Sequence, residues 1–164
     1  MIRNIRLLYD QYGARHFNIL DDNFTFNRDY VMQFCQEYIK NPLKDATFCC
    51  PNGIRADKID EEMVIMLKKC GFSKLMIGVE SGSSFILEAM KKHLDLAKVH
   101  ECCKLLRKHK IQSWGFFILG YPGETAKTIK ETLDLALNLP LDWASFSLFS
   151  PIPGTEIYNY RVVS

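Results

Sequence analysis

The stretch Ser113-Trp114-Gly115-Phe116-Phe117-Ile118-Leu119-Gly120-Tyr121-Pro122-Gly123-Glu124 decides how the chain folds. An apolar run of strand length gives way at once to a Gly-Tyr-Pro-Gly turn, the punctuation expected at the end of a strand. Helical spacing follows from about Glu124 to Leu139 and stops at Pro140. A further strand is expected from Trp143 to Phe149, closed by Ser150-Pro151-Ile152-Pro153-Gly154. A strand, a helix and another strand in that order form a crossover unit, which pairs its strands in parallel and right-handed.

The same unit repeats toward the N-terminus. A helix is expected from Ile2 to Tyr12, with Gly13 as its natural stop, before a short strand from His16 to Leu20. Tyr30 to Ile39 returns to helical spacing and ends at Asn41-Pro42, and Ala46 to Cys50 is the next strand, closed by Pro51-Asn52-Gly53. Asp57 or Asp60 can cap a helix running through Met63, Leu67 and Lys68 to Gly71, and Lys74 to Val79 is the third strand. A short helix near Ser84–Met90 and a longer one from about Asp95 to His109 lead into the segment quoted first, and Thr155 could cap a last helix. The strand ends fall near Leu20, Cys50, Val79, Leu119 and Phe149, at intervals of 30, 29, 40 and 30 residues. Successive βα units of roughly 30 residues have that spacing. The expected fold is a single α/β domain with parallel strands.

Composition bounds the function. The chain has 164 residues, 48% of them apolar, and its 21 basic and 19 acidic side chains leave a net charge of +2. That apolar share excludes a disordered chain, and near-neutrality argues against a broad nucleic-acid surface. The length allows a real core but falls short of the roughly 250 residues of an eight-unit barrel. No secretory leader is legible after Met1, and no apolar run reaches the roughly 18 residues of a membrane span. The cysteines are Cys35, Cys49, Cys50, Cys70, Cys102 and Cys103, with neither disulfide-framework nor metal-site spacing. A cytoplasmic, thiol-reduced protein is the expectation.

In open sheets and barrels alike, ligands bind at the carboxyl ends of the strands. Those ends carry Asp21-Asp22-Asn23, Asn52 with Arg55 and Asp57, Glu80-Ser81, the Gly120–Glu124 turn and Ser150–Gly154. Carboxylates there suit an amine and ribose-type hydroxyls, a cation suits a carboxylate, and glycines let backbone approach a flat ring. Plainer readings stand beside these. Asp21-Asp22-Asn23 could be an Asx turn, Arg55 could pair with Asp57 or Asp60 on the surface, and Gly-Tyr-Pro-Gly is an ordinary turn in most proteins. Glu80 is harder to set aside, because a carboxylate directly after an apolar strand needs a partner.

Four segments in order resemble the radical S-adenosylmethionine (SAM) enzymes: Asp21-Asp22-Asn23-Phe24-Thr25, Gly78-Val79-Glu80-Ser81-Gly82-Ser83, Gly115 to Thr125, and Pro151-Ile152-Pro153-Gly154-Thr155. The subgroup that often carries an N-terminal cobalamin-binding domain is the nearest in flavour. The resemblance implies a partial (βα)6 barrel of the TIM type whose first βα unit is incomplete here. The chain would run from about the first helix through the sixth strand of the family barrel, all of 1–164 belonging to that domain. It also implies SAM held against a 4Fe-4S cluster, reductive cleavage of SAM to a 5′-deoxyadenosyl radical, and a flavodoxin- or ferredoxin-type reductant. Methyl transfer with cobalamin is a further implication of the subgroup.

By the same resemblance the Asp21, Asp22 and Asn23 segment contacts the methionyl amine, and Glu80 with Ser81 addresses the ribose or the methionyl group. Lys92 pairs with the SAM carboxylate, with Arg55 a weaker candidate for the same pocket. Ile118 and Gly120 at their strand end flank adenine together with the backbone after Phe149. The family's C-x3-C-x2-C cluster loop is absent, and Cys49-Cys50 follows the wrong strand. The expectation is therefore a truncated core domain, inactive by itself in SAM cleavage. Two other readings of the residues remain open: a divalent-metal-dependent α/β barrel using Asp21, Asp22 and Glu80, and a non-catalytic binding fragment.

Overall fold

A computed structural model of the chain describes residues 1–158. The elements run α1 (Ile2–Tyr12), β1 (His16–Asn18), α2 (Arg28–Ile39), β2 (Thr47–Ile54), α3 (Glu61–Lys69), β3 (Phe72–Glu80), α4 (Ser84–Ala89), α5 (Leu96–Lys108), β4 (Gln112–Leu119), α6 (Ala126–Asn138) and β5 (Trp143–Leu148). The five strands lie in sequence order, every neighbouring pair parallel. That is the expected α/β fold of parallel strands alternating with helices; the sheet is open rather than closed, with β1 and β5 as its edges. Thr155 does begin a helical turn, and whatever continues beyond Tyr158 lies outside the described residues.

Local chemistry explains the element ends. Gly13 stops α1 in the left-handed conformation at φ 67°, donating its amide to Tyr9. Asn27 caps α2 by accepting from the Tyr30 amide at 3.0 Å. Thr125 and Thr128 form a reciprocal capping box on α6. One boundary departs from expectation. Pro51-Asn52-Gly53 does not close β2; the strand continues to Ile54 through a shift in register, Cys50 facing Leu75 and Ile54 facing Ile77. A proline has no amide to give to the ladder, and Gly53 turns at φ 93°, so the extra residues bulge outward and pairing resumes beyond them. The bulge keeps Asn52 and Arg55 at the strand end.

The core fills the helix-facing side of the sheet. Phe48, 1% exposed, sits at its centre, with ring centroids of Tyr38, Phe72 and Phe17 at 5.1, 5.3 and 5.5 Å. Along β3 the buried residues Leu75, Ile77 and Val79 alternate with half-buried Met76, Gly78 and Glu80, which point to the concave face. Strand β4 repeats this, Phe117 in the core and Trp114, Phe116 and Ile118 on the concave side. Strand β5 is mostly exposed; Phe146 stacks on Phe117 at 5.0 Å and Trp143 on Trp114 at 5.9 Å.

Asp60, the sequence's second choice of cap, is the one that caps α3, accepting from the Met63 amide at 2.7 Å and pairing with Arg28 at 2.9 Å. Burial alone would raise its carboxyl, but the Met63 amide and Arg28 outweigh it and hold the group below its ordinary range. A folded-state pKa below the unfolded value means that this contribution is complete above about pH 4 and is lost as pH falls below it. Asp60→Ala is expected to cost about 1 kcal/mol at neutral pH in urea unfolding. The difference from the parent should narrow in acid; a gap that stays constant down to pH 3 would contradict the assignment.

Candidate functional site

The concave rim at the carboxyl ends of β1, β2 and β3 encloses a cavity of about 300 Å³. The turn after β1 contributes Asp22 and Asn23, β2 and the residue after it contribute Asn52 and Arg55, and β3 contributes Gly78 and Glu80. The link between α4 and α5 closes the far side with Lys91, Lys92 and His93.

Each wall is tied to its neighbour. Asn52 Nδ2 donates to the Leu20 carbonyl at 2.9 Å and reaches Asp22 Oδ1 at 3.5 Å, so the bulge of β2 holds the turn after β1. Asp21 Oδ1 accepts the Asn23 amide at 3.0 Å, which is the Asx turn of the plainer reading, and Asp21 does not line the cavity. Asn23 Oδ1 is buried and accepts no hydrogen bond in the protein. An acceptor in that condition is costly unless a donor meets it.

Arg55 forks onto Asp57, Nε to Oδ1 at 2.9 Å and a terminal nitrogen to Oδ2 at 3.0 Å, and that nitrogen also reaches the His93 carbonyl at 3.5 Å. The plainer reading of Arg55 is thus present, yet the pair stands on the cavity wall. The Arg55 hydrogen bond holds the Asp57 carboxyl below its usual range.

Glu80 ends β3 with φ 67°, a left-handed backbone that a side chain other than glycine's adopts at a cost. Its carboxylate is 14% exposed, and Lys92 Nζ donates to Oε1 at 2.9 Å. Lys92, expected to meet a ligand carboxylate, therefore also satisfies Glu80. Sequence reading missed Gly78 as a site residue: a Cβ there would lie 3.1 Å from Glu80 Oε1, so the glycine leaves room for the carboxylate.

Ser81 is placed differently from the expectation of direct contact. It is fully buried, and its hydroxyl meets Thr132 Oγ1 at 3.1 Å behind the sheet rather than facing the cavity. The strand ends at Glu80, whose left-handed backbone turns the chain so that the next side chain meets α6 behind the sheet.

Ile118, Gly120 and Phe149 form a separate group at the ends of β4 and β5 and do not line this cavity. Gly120, at φ 80°, and Tyr121 both donate their amides to Glu124 Oε2, while Phe149 packs edge-on against Tyr121 at 4.8 Å. Tyr121 Oη donates to the Ala89 carbonyl at 3.0 Å, in a second cavity of about 320 Å³ that shares Lys91 with the first. Glu124, in the Gly120–Glu124 turn expected at the site, braces the turn amides rather than lining either cavity.

Cation chemistry finds no support. Among the described residues no three His, Cys, Asp or Glu side chains converge on one point. Asp21 is occupied by its Asx turn and Glu80 by Lys92, so the reading of Asp21, Asp22 and Glu80 as a divalent-metal set is corrected.

The six cysteines are dispersed as well. They lie on α2, β2, the end of α3 and α5, and all but Cys49 are buried. Burial pushes the Cys50 and Cys103 thiols up to about 12, and no three cysteines converge on one point among the described residues. These cysteines do not fit a 4Fe-4S cluster. SAM fits better: Asn23 Oδ1 wants a donor of the kind an amine supplies, and Arg55 and Lys92 are cations on the same wall.

A parallel α/β fold with charged and glycine-bearing strand-end turns around a cavity defines a ligand-binding class, one whose chemistry sits at the carboxyl ends of its strands. The sequence model of the Radical SAM superfamily matches residues 1–136, and the chain belongs to that family. Among curated relatives, an uncharacterized methyltransferase of Pyrococcus horikoshii is 27% identical over 164 residues, covering 100% of this chain and 35% of the relative. The cytidylyl-2-hydroxyethylphosphonate methyltransferase of Streptomyces wedmorensis is 30% identical over 164 residues, covering 96% and 30%. The chain thus spans about a third of the length of these relatives. Among solved structures, the radical SAM methyltransferase TsrM from Kitasatospora setae, with cobalamin and a 4Fe-4S cluster bound, superposes with a TM-score of 0.81 at 19% identity, over 90% of this chain and 30% of that one. The coproporphyrinogen III oxidase HemN from Escherichia coli gives a TM-score of 0.71 at 16% identity, over 85% and 33%. These two likenesses concern the fold. Among the described residues no helix is long and apolar enough to cross a membrane.

Proposed function

We propose that this chain is the SAM-binding part of a radical SAM core, and that the activity of its own residues is to bind and orient SAM. The observation that carries this is one cavity lined by Asp22, Asn23, Arg55, Glu80 and Lys92, together with a buried Asn23 Oδ1 that has no hydrogen-bond partner. Asn23 with Asp22 would accept the methionyl amine, Arg55 and Lys92 would meet the carboxylate, and Glu80 would hold the ribose or the methionyl group. Ile118, Gly120 and Phe149, beside the second cavity, would flank adenine. Asp21 acts through its Asx turn and Ser81 through the backbone it fixes.

SAM bound beside a reduced iron–sulfur cluster supplies the one-electron chemistry of this superfamily. The three thiolates for that cluster would come from residues outside these 164, because the cysteines here do not converge. Residues 1–164 would all belong to one core domain. The methyltransferases among the relatives support methyl transfer as the reaction of a longer protein, with cobalamin and a flavodoxin- or ferredoxin-type electron donor as its companions. No residue of this chain is assigned to either of those.

Calorimetric titration of the 164-residue chain with SAM is the test. Saturable binding is expected, weakened about tenfold by Asn23→Leu, the order of one hydrogen bond to a charged donor. Heat of dilution alone, or equal affinity in the variant, would refute the assignment.

A further inference from the structure

Behind the sheet, one buried hydroxyl is connected to the turn that carries Glu80. Thr132 on α6 has no exposed surface. Its Oγ1 accepts the Gly82 amide at 3.0 Å, lies 3.1 Å from Ser81 Oγ, and donates to the Thr128 carbonyl at 3.1 Å. A threonine hydroxyl has one proton and two lone pairs. With the proton on Thr128, both lone pairs are filled by Gly82 N–H and Ser81 O–H, so Ser81 is the donor of its pair. Ser81 Oγ in turn accepts the Ser83 amide at 3.1 Å. Every polar group of the relay is satisfied; Ser81, Ser83 and Thr132 are buried and Gly82 is half-buried, and the chain side of the relay is the three residues after Glu80.

The turn so held is a strained one. The Ser81 amide donates to the Val79 carbonyl at 2.9 Å, closing a three-residue turn whose central residue is Glu80 at φ 67°. γ-type turns with positive φ are rare and strained, and such a conformation persists when its surroundings determine it. Gly82 adds a steric clamp, since a Cβ there would lie 2.3 Å from the Glu131 carbonyl oxygen on α6.

We propose that Thr132 is a positioning residue for the cavity: through Ser81 and the Gly82 amide it fixes the left-handed turn that aims the Glu80 carboxylate beside Lys92. It touches no ligand itself. The ligand-binding arm of the test rests on SAM as the occupant, and a second arm does not.

In the first arm, Thr132→Val is expected to weaken SAM binding about tenfold, the order of one or two buried hydrogen bonds, and Thr132→Ser to restore it. If Thr132 acts through Glu80, the losses from Thr132→Val and Glu80→Gln should not add in the double variant. Fully additive losses, or no loss in Thr132→Val, overturn the proposal. In the second arm, amide hydrogen exchange is followed with no ligand present. Thr132→Val should speed exchange at Gly82 and Ser83 about tenfold relative to the β4 amides, and Ser81→Ala, which keeps the threonine, should speed Ser83. Unchanged protection at both amides overturns the proposal whatever SAM does. A parent chain that fails to bind SAM while the exchange results hold refutes the SAM reading alone.

Discussion

Gly82→Ala should lower the unfolding free energy by about 3 kcal/mol. The added Cβ would stand 2.3 Å from the Glu131 carbonyl oxygen and 2.7 Å from Thr132 Cα. Both obstacles are backbone of α6, so neither can swing aside as a side-chain tip would. Relief requires the helix or the turn to move, and movement breaks the Gly82–Thr132 hydrogen bond as well. Gly120→Ala is the informative contrast. Nothing lies within 4 Å of its Cβ, and the cost there is the left-handed backbone at φ 80°, about 1 kcal/mol. Urea unfolding of the two variants should separate crowding from backbone strain. Equal losses would show that α6 yields more readily than its packing implies.

Glu80 is where stability and binding should part company. Glu80→Ala removes the carboxylate that faces the cavity and leaves a Cβ in the left-handed region; Glu80→Gly removes both. Each is expected to weaken SAM binding about 10- to 100-fold, the range for a hydrogen bond to a charged group. Yet the glycine variant should be more stable than the alanine variant by about 1 kcal/mol, because glycine takes a positive φ without penalty. Calorimetry supplies the affinities and urea unfolding the stabilities. An alanine variant as stable as the glycine variant would mean that the turn relaxes once the carboxylate is gone. Undiminished affinity in both would remove Glu80 from the ligand site.

The sequence made the repeat of strand and helix legible because each strand is a short apolar run bounded by glycine, proline or asparagine. Asp60 was readable as a cap by its position before the apolar face of Met63, Val64 and Leu67, although Asp57 matched the pattern as well. Pro51 misled for a physical reason: proline ends a flat ladder, but a bulge absorbs it. At the site, Asp22, Asn23, Arg55 and Glu80 are legible as polar residues at strand ends and Lys92 only through the family resemblance, and the fold brings all five to one cavity. The direction of Ser81 was not legible, since a left-handed residue just before it reverses which way the next side chain falls. Thr132 was invisible, fifty-one residues from its partner Ser81 and indistinguishable from any helical threonine. Gly78 acts by leaving space and Glu124 by bracing a turn, neither through charge facing a ligand.

Helix α6 has a consequence for thermodynamics beyond holding parts in place. The turn leading into it is clamped by Glu124 onto the Gly120 and Tyr121 amides, and its middle holds the Ser81–Gly82 turn through Thr132. Two rims of the binding face, far apart in sequence, therefore share one rigid member. If the shared helix makes an occupant of the Gly120 turn ease binding at Glu80, an occupant at Glu80 eases binding at Gly120 by the same factor. The two halves of a long ligand would then be felt cooperatively, and either half alone would bind more weakly than its own contacts imply.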